Sequence, residues 1–271
     1  MKKNDKEKLD IAKDIINRSG NNFHYQVVNF LRERGWSVLV SPYYTDNLTD
    51  KPREIDIIAE KVFDINAWAT NNWLGTLNVK LFIECKYIKN HNVFWFDSID
   101  KQKAIKRIMS DTPLKDPREN TSIEKHHYIS TEKVAKLFAS ENNNQESGEI
   151  FHKAINQNLN ALIYYKNKGN LSIIPRSGQT VNVLQTISYP LVVCNSFEKL
   201  SGVDVLSVNE SEEIKDNFQM EVNYAYVNGQ TTFSEYFLLD IIDFRKLDDF
   251  LKMLEEKDIK TIKDVIVFAK R

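Results

Sequence analysis

The chain has 271 residues, 42% hydrophobic and 28% charged, with a formal net charge of −1. That composition excludes a disordered polymer and leaves room for one large domain or two small ones, each with its own core. A balance so close to zero does not exclude a nucleic-acid partner, because what counts there is a local basic groove on a near-neutral body.

Only two cysteines occur, Cys85 and Cys194, both inside apolar runs, which fits buried thiols in a reducing compartment and offers no thiolate metal cluster. The start, Met1-Lys2-Lys3-Asn4-Asp5-Lys6, is charged and leads into an amphipathic segment rather than a leader's apolar stretch. No run approaches the ~18 apolar residues of a membrane span. The expectation is a cytoplasmic protein without a membrane partner.

In chain order, Leu9, Ala12, Ile15 and Ile16 mark a helix over 5–18, ended by Gly20. Phe23, Val27, Phe30 and Leu31 predict a second helix over 22–34, stopped by Gly35. Trp36 to Pro42 reads as a strand closed by proline, and Ile55-Asp56-Ile57-Ile58-Ala59-Glu60 as the next. Residues 64–78, with Trp68, Trp73 and Gly75, read as a long excursion whose tryptophans pack it onto the body. A strand follows over about 79–88.

The aromatic cluster Val93 to Phe96 precedes a helix capped by Asp97 or Ser98 and running to Ser110, with Lys101, Lys103, Lys106 and Arg107. His127 to Ser130 reads as a short strand feeding a helix over 131–140, then a polar loop over 142–148 and a helix over 149–165. The last hundred residues look strand-rich, at 171–174, 189–194, 218–227 and 236–244, with Asn228-Gly229 as a hairpin turn and a closing helix through Leu247 to Leu254. The expected organisation is an α/β core over 1–165 with an α+β extension over 166–271 packed into the same body.

The chemistry concentrates in Leu81-Phe82-Ile83-Glu84-Cys85-Lys86-Tyr87-Ile88. Glu84 and Lys86 project from one face of a strand. A plain strand with one solvated face would also carry polar residues at 82 and 88, and these are Phe82 and Ile88. If the neighbouring strand brings Asp56 alongside, two carboxylates converge and need a cation between them. Mg²⁺ answers that need, since it takes carboxylates, waters and phosphate oxygens as ligands.

Helix, strand, strand with Ile-Asp-Ile-Ile, strand with Phe-Ile-Glu-Cys-Lys, helix: this order over about 20–130 resembles the PD-(D/E)XK nuclease superfamily. Phe23-His24, Val27, Leu31 and Gly35-Trp36 are similar to the opening of its Mrr-like branch. The resemblance implies a restriction-endonuclease-like core, a mixed central sheet flanked by helices, with a strand-rich C-terminal elaboration. It also implies a metal-dependent endonuclease, with restriction or phage defence as the setting. Asp56, Glu84 and the backbone carbonyl of Cys85 would hold Mg²⁺, for which Mn²⁺ can substitute, and Lys86 would act on the attacking water. The partner would be nucleic acid, above all double-stranded DNA, with a homodimer suited to cutting both strands.

His24, Lys101, Lys103 and Lys106 are the expected nucleic-acid contacts. No proline precedes Asp56, and His24 stands where the family commonly has a helix glutamate. The alternative is an inactive nucleic-acid- or protein-binding module that keeps the nuclease fold. His91, His126 and His127 read as surface or strand-end residues rather than zinc ligands.

Overall fold

A glycine stop fixes where the first described helix hands over to the sheet. In the computed structural model, helix α1 (Asn21–Glu33) buries Phe23, Val27, Val28 and Leu31 along one face. Gly35 has φ +77, and the N–H groups of Gly35 and Trp36 return to the carbonyls of Arg32 and Leu31 at 3.0 and 3.1 Å. This left-handed stop favours glycine, and it turns Trp36 into the core just before strand β1 (Ser37–Val40). The structure describes residues 11–13, 15–16, 20–47, 49–113, 121–141, 149–168, 182–207 and 210–269.

Strands β2 (Tyr43–Thr45) and β3 (Pro52–Glu54) pair as a separate two-stranded sheet. Then come β4 (Ile57–Asn66), β5 (Trp73–Lys86), β6 (Asn92–Ser98), helix α2 (Lys101–Met109), the helical turn α3 (His127–Ser130), β7 (Lys133–Ser140) and helix α4 (Glu149–Asn167). The remainder is β8 (Val183–Cys194), β9 (Leu200–Asp204), β10 (Ser211–Glu213), β11 (Phe218–Asn228), β12 (Thr231–Asp243) and helix α5 (Leu247–Met253). A π-helical stretch, Leu254–Ile259, joins α5 to α6 (Lys260–Ala269).

The architecture is α/β: one ten-stranded mixed sheet, in the order β1-β4-β5-β8-β12-β11-β7-β6-β9-β10, with helices on both faces. Strand β8, from the last hundred residues, lies directly beside β5, and β12 follows on the far side of β8. β5 pairs antiparallel with β4 through Ile57↔Ile83 and parallel with β8 through Glu84↔Val192. Flanked on both sides and covered on both faces, it is buried from Gly75 to Glu84, which is why it reads as a continuous apolar run. Leu81 and Ile83 enter the core that holds α1, α5 and α6, while Phe82 enters the core built around α4. Strands late in the sheet order return to the same helix: Phe94 of β6 lies 5.0 Å, centroid to centroid, from both Phe151 of α4 and Phe218 of β11.

Several elements differ from the expectation. Residues 64–78 are not an excursion: β4 and β5 continue as a long hairpin, and only 67–72 turn, with Asn71 at φ +53. Gly75 sits at the register slip with φ +146, where a Cβ would lie 2.7 Å from both Asn182 O and Leu184 Cγ. Glycine there marks a close approach within a strand, although in sequence it resembles a loop signal. The tryptophans are exposed rather than packed into the body. Trp68 links the hairpin to α6 through an indole N–H bond to Asp264 at 3.2 Å, and Trp73 donates across the hairpin itself to Asp64 of β4 at 3.0 Å.

The 127–140 assignment is reversed: 127–130 is a helical turn and 133–140 a strand. Its Lys, Ala and Leu favour helix locally, but the antiparallel register with β6, from Ser98↔Lys133 to Asn92↔Ser140, overrides that preference. α2 is capped by Asp100 rather than Asp97 or Ser98, its carboxylate accepting Lys103 N–H at 3.0 Å.

Helix 149–165, the strands at 218–227 and 236–244 and the Asn228-Gly229 turn correspond to α4, β11, β12 and a turn with Gly229 at φ +63. Of the expected helix over 5–18, residues 11–13 and 15–16 are helical with Ile11, Ile15 and Ile16 exposed, and the rest lies outside the described residues. The strand at 171–174 and the loop at 142–148 also lie outside them. Among the described residues no helix is long and apolar enough to cross a membrane.

Candidate functional site

β4 ends its pairing with β5 at Ile57↔Ile83, so Glu84, Cys85 and Lys86 run three residues beyond the last antiparallel pair. Asp56 occupies the bend before β4. Its carbonyl accepts Ser41 N–H at 2.8 Å and lies 2.9 Å from His24 Nε2, which ties the bend to β1 and α1. Its carboxylate Oδ2 accepts the free N–H of Cys85 at 2.7 Å. The carbonyl of Lys86 accepts Asn195 N–H after β8. Peptide groups alternate sides along a strand, so the Cys85 carbonyl faces away from β8, toward Asp56.

Glu84 and Lys86 share the face toward α4. Lys86 Nζ lies 2.7 Å from Glu84 Oε2 and 3.9 Å from Asp56 Oδ2. The two carboxylate oxygens are therefore no further apart than the sum of those distances. Glu84 is 1% exposed, and its second oxygen, Oε1, is buried without a hydrogen-bond partner among the described residues. Burial raises the Glu84 carboxyl to about 7 against the pull of Lys86. Burial also opposes the charge on Lys86, but the carboxylates of Glu84 and Asp56 outweigh it and raise the ammonium's pKa.

α4 holds this strand end in place: Asn158 Nδ2 donates to the carbonyls of Phe82 and Leu191 at 2.7 and 2.8 Å, bridging β5 and β8. Tyr44, from β2, brings a second unsatisfied group nearby. Its ring is buried, its hydroxyl has no partner among the described residues, and burial, then the charge of Glu84, raises its pKa. In sequence Tyr44 looks like half of a Tyr-Tyr pair, and only the burial of one ring and the exposure of the other distinguishes it.

The structure thus brings Asp56, Glu84, Lys86, the Cys85 backbone and His24 together. It does not bring the lysines of α2 to them. Lys101, Lys103 and Lys106 are exposed, and α2 packs on β12 through Ala104 and Ile108, in the core on the opposite face from Glu84. Lys103 instead pairs with Asp100 at 3.4 Å.

The donor set suits a hard cation. Asp56 and Glu84 offer carboxylate oxygens, one of them buried and unsatisfied, and the Cys85 carbonyl opens on the same side. The Lys86 ammonium already bridges the carboxylates as a positive charge would.

The histidine expectation needs correction. His91 is exposed, but His126 and His127 are buried. His127 stands between two fully buried carboxylates: Nδ1 contacts Asp258 Oδ2, and Nε2 lies 3.1 Å from Asp240 Oδ1. Burial alone would strip its proton, yet those carboxylates raise its pKa to about 10, while burial lowers that of the stacked His126 to about 4. Asp240 also accepts Tyr128 O–H and Gln219 N–H, both at 3.1 Å. Nothing in the spacing of a His-His pair foretells two aspartates more than a hundred residues away.

No protein-family model, curated protein or solved structure matches the chain.

Proposed function

We propose that the chain is a metal-dependent phosphodiesterase acting on nucleic acid, with duplex DNA as the first substrate to test, and that α1, β1, β4 and β5 form a restriction-endonuclease-like core. The observation that carries this reading is the convergence of Asp56, Glu84 and Lys86 at the projecting end of β5, with Glu84 Oε1 buried and unsatisfied.

Asp56, Glu84 and the Cys85 carbonyl would hold Mg²⁺, or Mn²⁺ in its place, whose chemistry when bound is to polarise a phosphoryl oxygen and acidify a water. Lys86 stays charged, because two carboxylates hold its proton. Its part is to orient the attacking water and to offset negative charge growing on the phosphate, rather than to remove a proton. Glu84 must ionise to take part, and its depth keeps bulk water away from the reacting phosphate. His24 acts on the backbone of Asp56, fixing the bend from which that carboxylate projects.

The experiment is incubation of the full chain with plasmid, single-stranded DNA and RNA in Mg²⁺, Mn²⁺ or EDTA, beside Glu84→Ala. Cleavage by the wild type, abolished by EDTA and by the substitution, is expected. Retardation of DNA in gels without cleavage under any metal would overturn the hydrolase and favour the inactive binding module.

A further inference from the structure

The buried His126-His127-Asp258 group lies on the opposite face of the sheet from Glu84 and takes no part in the proposed phosphodiesterase. One ring nitrogen from each histidine and one oxygen of Asp258 all lie within 4.8 Å of one another, and all three residues are buried. His126 Nε2 is 3.3 Å from Asp258 Oδ2, the same oxygen that His127 Nδ1 contacts.

Three independent features surround this group. First, its outer contacts are those of metal ligands. The other nitrogen of His127 reaches the Asp240 carboxylate at 3.1 Å, and the other oxygen of Asp258 accepts the His127 backbone N–H at 2.9 Å. A carboxylate behind a histidine fixes its tautomer and raises its basicity toward a metal. Second, Asp240 and Asp258 are both 0% exposed, and both carboxylates converge on the one buried ring of His127. A divalent ion would balance both carboxylates with neutral imidazoles. Third, Asp258 lies in the π-helical stretch Leu254–Ile259, a widened turn that is rare and frequent at functional sites.

From these features we infer that His126 Nε2, His127 Nδ1 and Asp258 Oδ2 bind a divalent transition-metal ion of the zinc class, which clips α3 onto the C-terminal helices. Two imidazoles and one carboxylate suit zinc and disfavour Mg²⁺ or Ca²⁺, which take all-oxygen sets. The fourth position is left for water, and a surface cleft lined by His127, Gln219, Lys246 and Lys257 gives the ion a path inward. On binding, the His127 proton facing Asp258 leaves to solvent and Nε2–H stays on Asp240. The His126 ring proton moves to Nδ1, which gives up the long 3.2 Å bond it accepts from Tyr128 N–H.

The test is to load the full chain with Zn²⁺, remove excess by gel filtration and measure bound metal by mass spectrometry, with Co²⁺ in parallel as a visible probe. A single zinc per chain and a tetrahedral-type Co²⁺ spectrum are expected. Asp258→Asn and His127→Gln should lose the ion, and Asp240→Asn should weaken it about 10- to 100-fold. Asp56→Ala and Glu84→Ala should retain it. A wild-type chain that keeps no zinc and gives only the spectrum of hydrated Co²⁺ overturns the inference, whether or not any variant folds. So does zinc that survives His127→Gln, or that is lost in Glu84→Ala.

Discussion

Asp56 Oδ2 accepts the backbone N–H of Cys85 at 2.7 Å, so the aspartate is fastened to the strand that carries Glu84 and Lys86. A side chain held to a neighbouring backbone keeps its position when the residues on either side of that backbone change. The site is therefore pre-arranged by main-chain geometry, and its side chains can be removed one at a time.

Asp56→Ala and Lys86→Ala should each reduce cleavage at least ~100-fold while the chain stays folded, because each removes an electrostatic contact to the reacting groups. Gel assays of initial rate beside circular dichroism check this. Wild-type rates in either variant would remove that residue from the proposed machinery.

Glu84 should give stability a pH dependence. Burial raises its pKa from 4.5 to about 7, so between those values the folded chain holds a proton that the unfolded chain has released. The associated stability is complete below about pH 4.5 and is lost as pH rises through about 7. In EDTA, urea unfolding from pH 4.5 to 7.5 should show the wild type losing on the order of 2–3 kcal/mol more than Glu84→Gln. Parallel curves would contradict it.

Removing His127 leaves Asp240 and Asp258 buried and facing one another. His127→Ala should cost about 3–5 kcal/mol in EDTA, the range for breaking a buried ion pair from one side. Adding Asp240→Asn to that variant removes one of the two charges and should recover part of the loss. Equal urea midpoints for His127→Ala and the wild type would show that the bridge carries no stability.

Gly75→Ala should destabilise by about 1–3 kcal/mol, since its φ of +146 and the 2.7 Å approach to Asn182 O leave no room for a methyl group. An unshifted denaturation midpoint would show that the strand relaxes there without cost. Cleavage by the folded fraction should be unchanged, because Gly75 lies at the far end of β5 from Lys86.

Much of the first half was legible because its signals are local. The Phe23-Val27-Leu31 stripe and the Gly35 stop fit α1, and the Phe-Ile-Glu-Cys-Lys run lies within β5. Of the Ile-Asp-Ile-Ile run expected as strand, only Ile57 and Ile58 enter β4, and Asp56 sits in the bend before it. Where reading failed, neighbours in space decided the outcome. Lys133–Ser140 is a strand because β6 pairs with it, and Trp73-Leu74-Gly75 is strand because β4 continues opposite.

What the sequence determined alone is that Glu84 and Lys86 share one face of a buried strand, since side chains alternate with a period of two whatever lies around them. Only the tertiary structure decided which charges meet there. It brought Asp56 to Cys85, sent the lysines of α2 to the other face of the sheet, and set His127 between Asp240 and Asp258. The reason is physical: periodicity is a property of consecutive residues, whereas the partner of a buried charge is chosen by strand order and helix packing, which connect residues far apart in the chain.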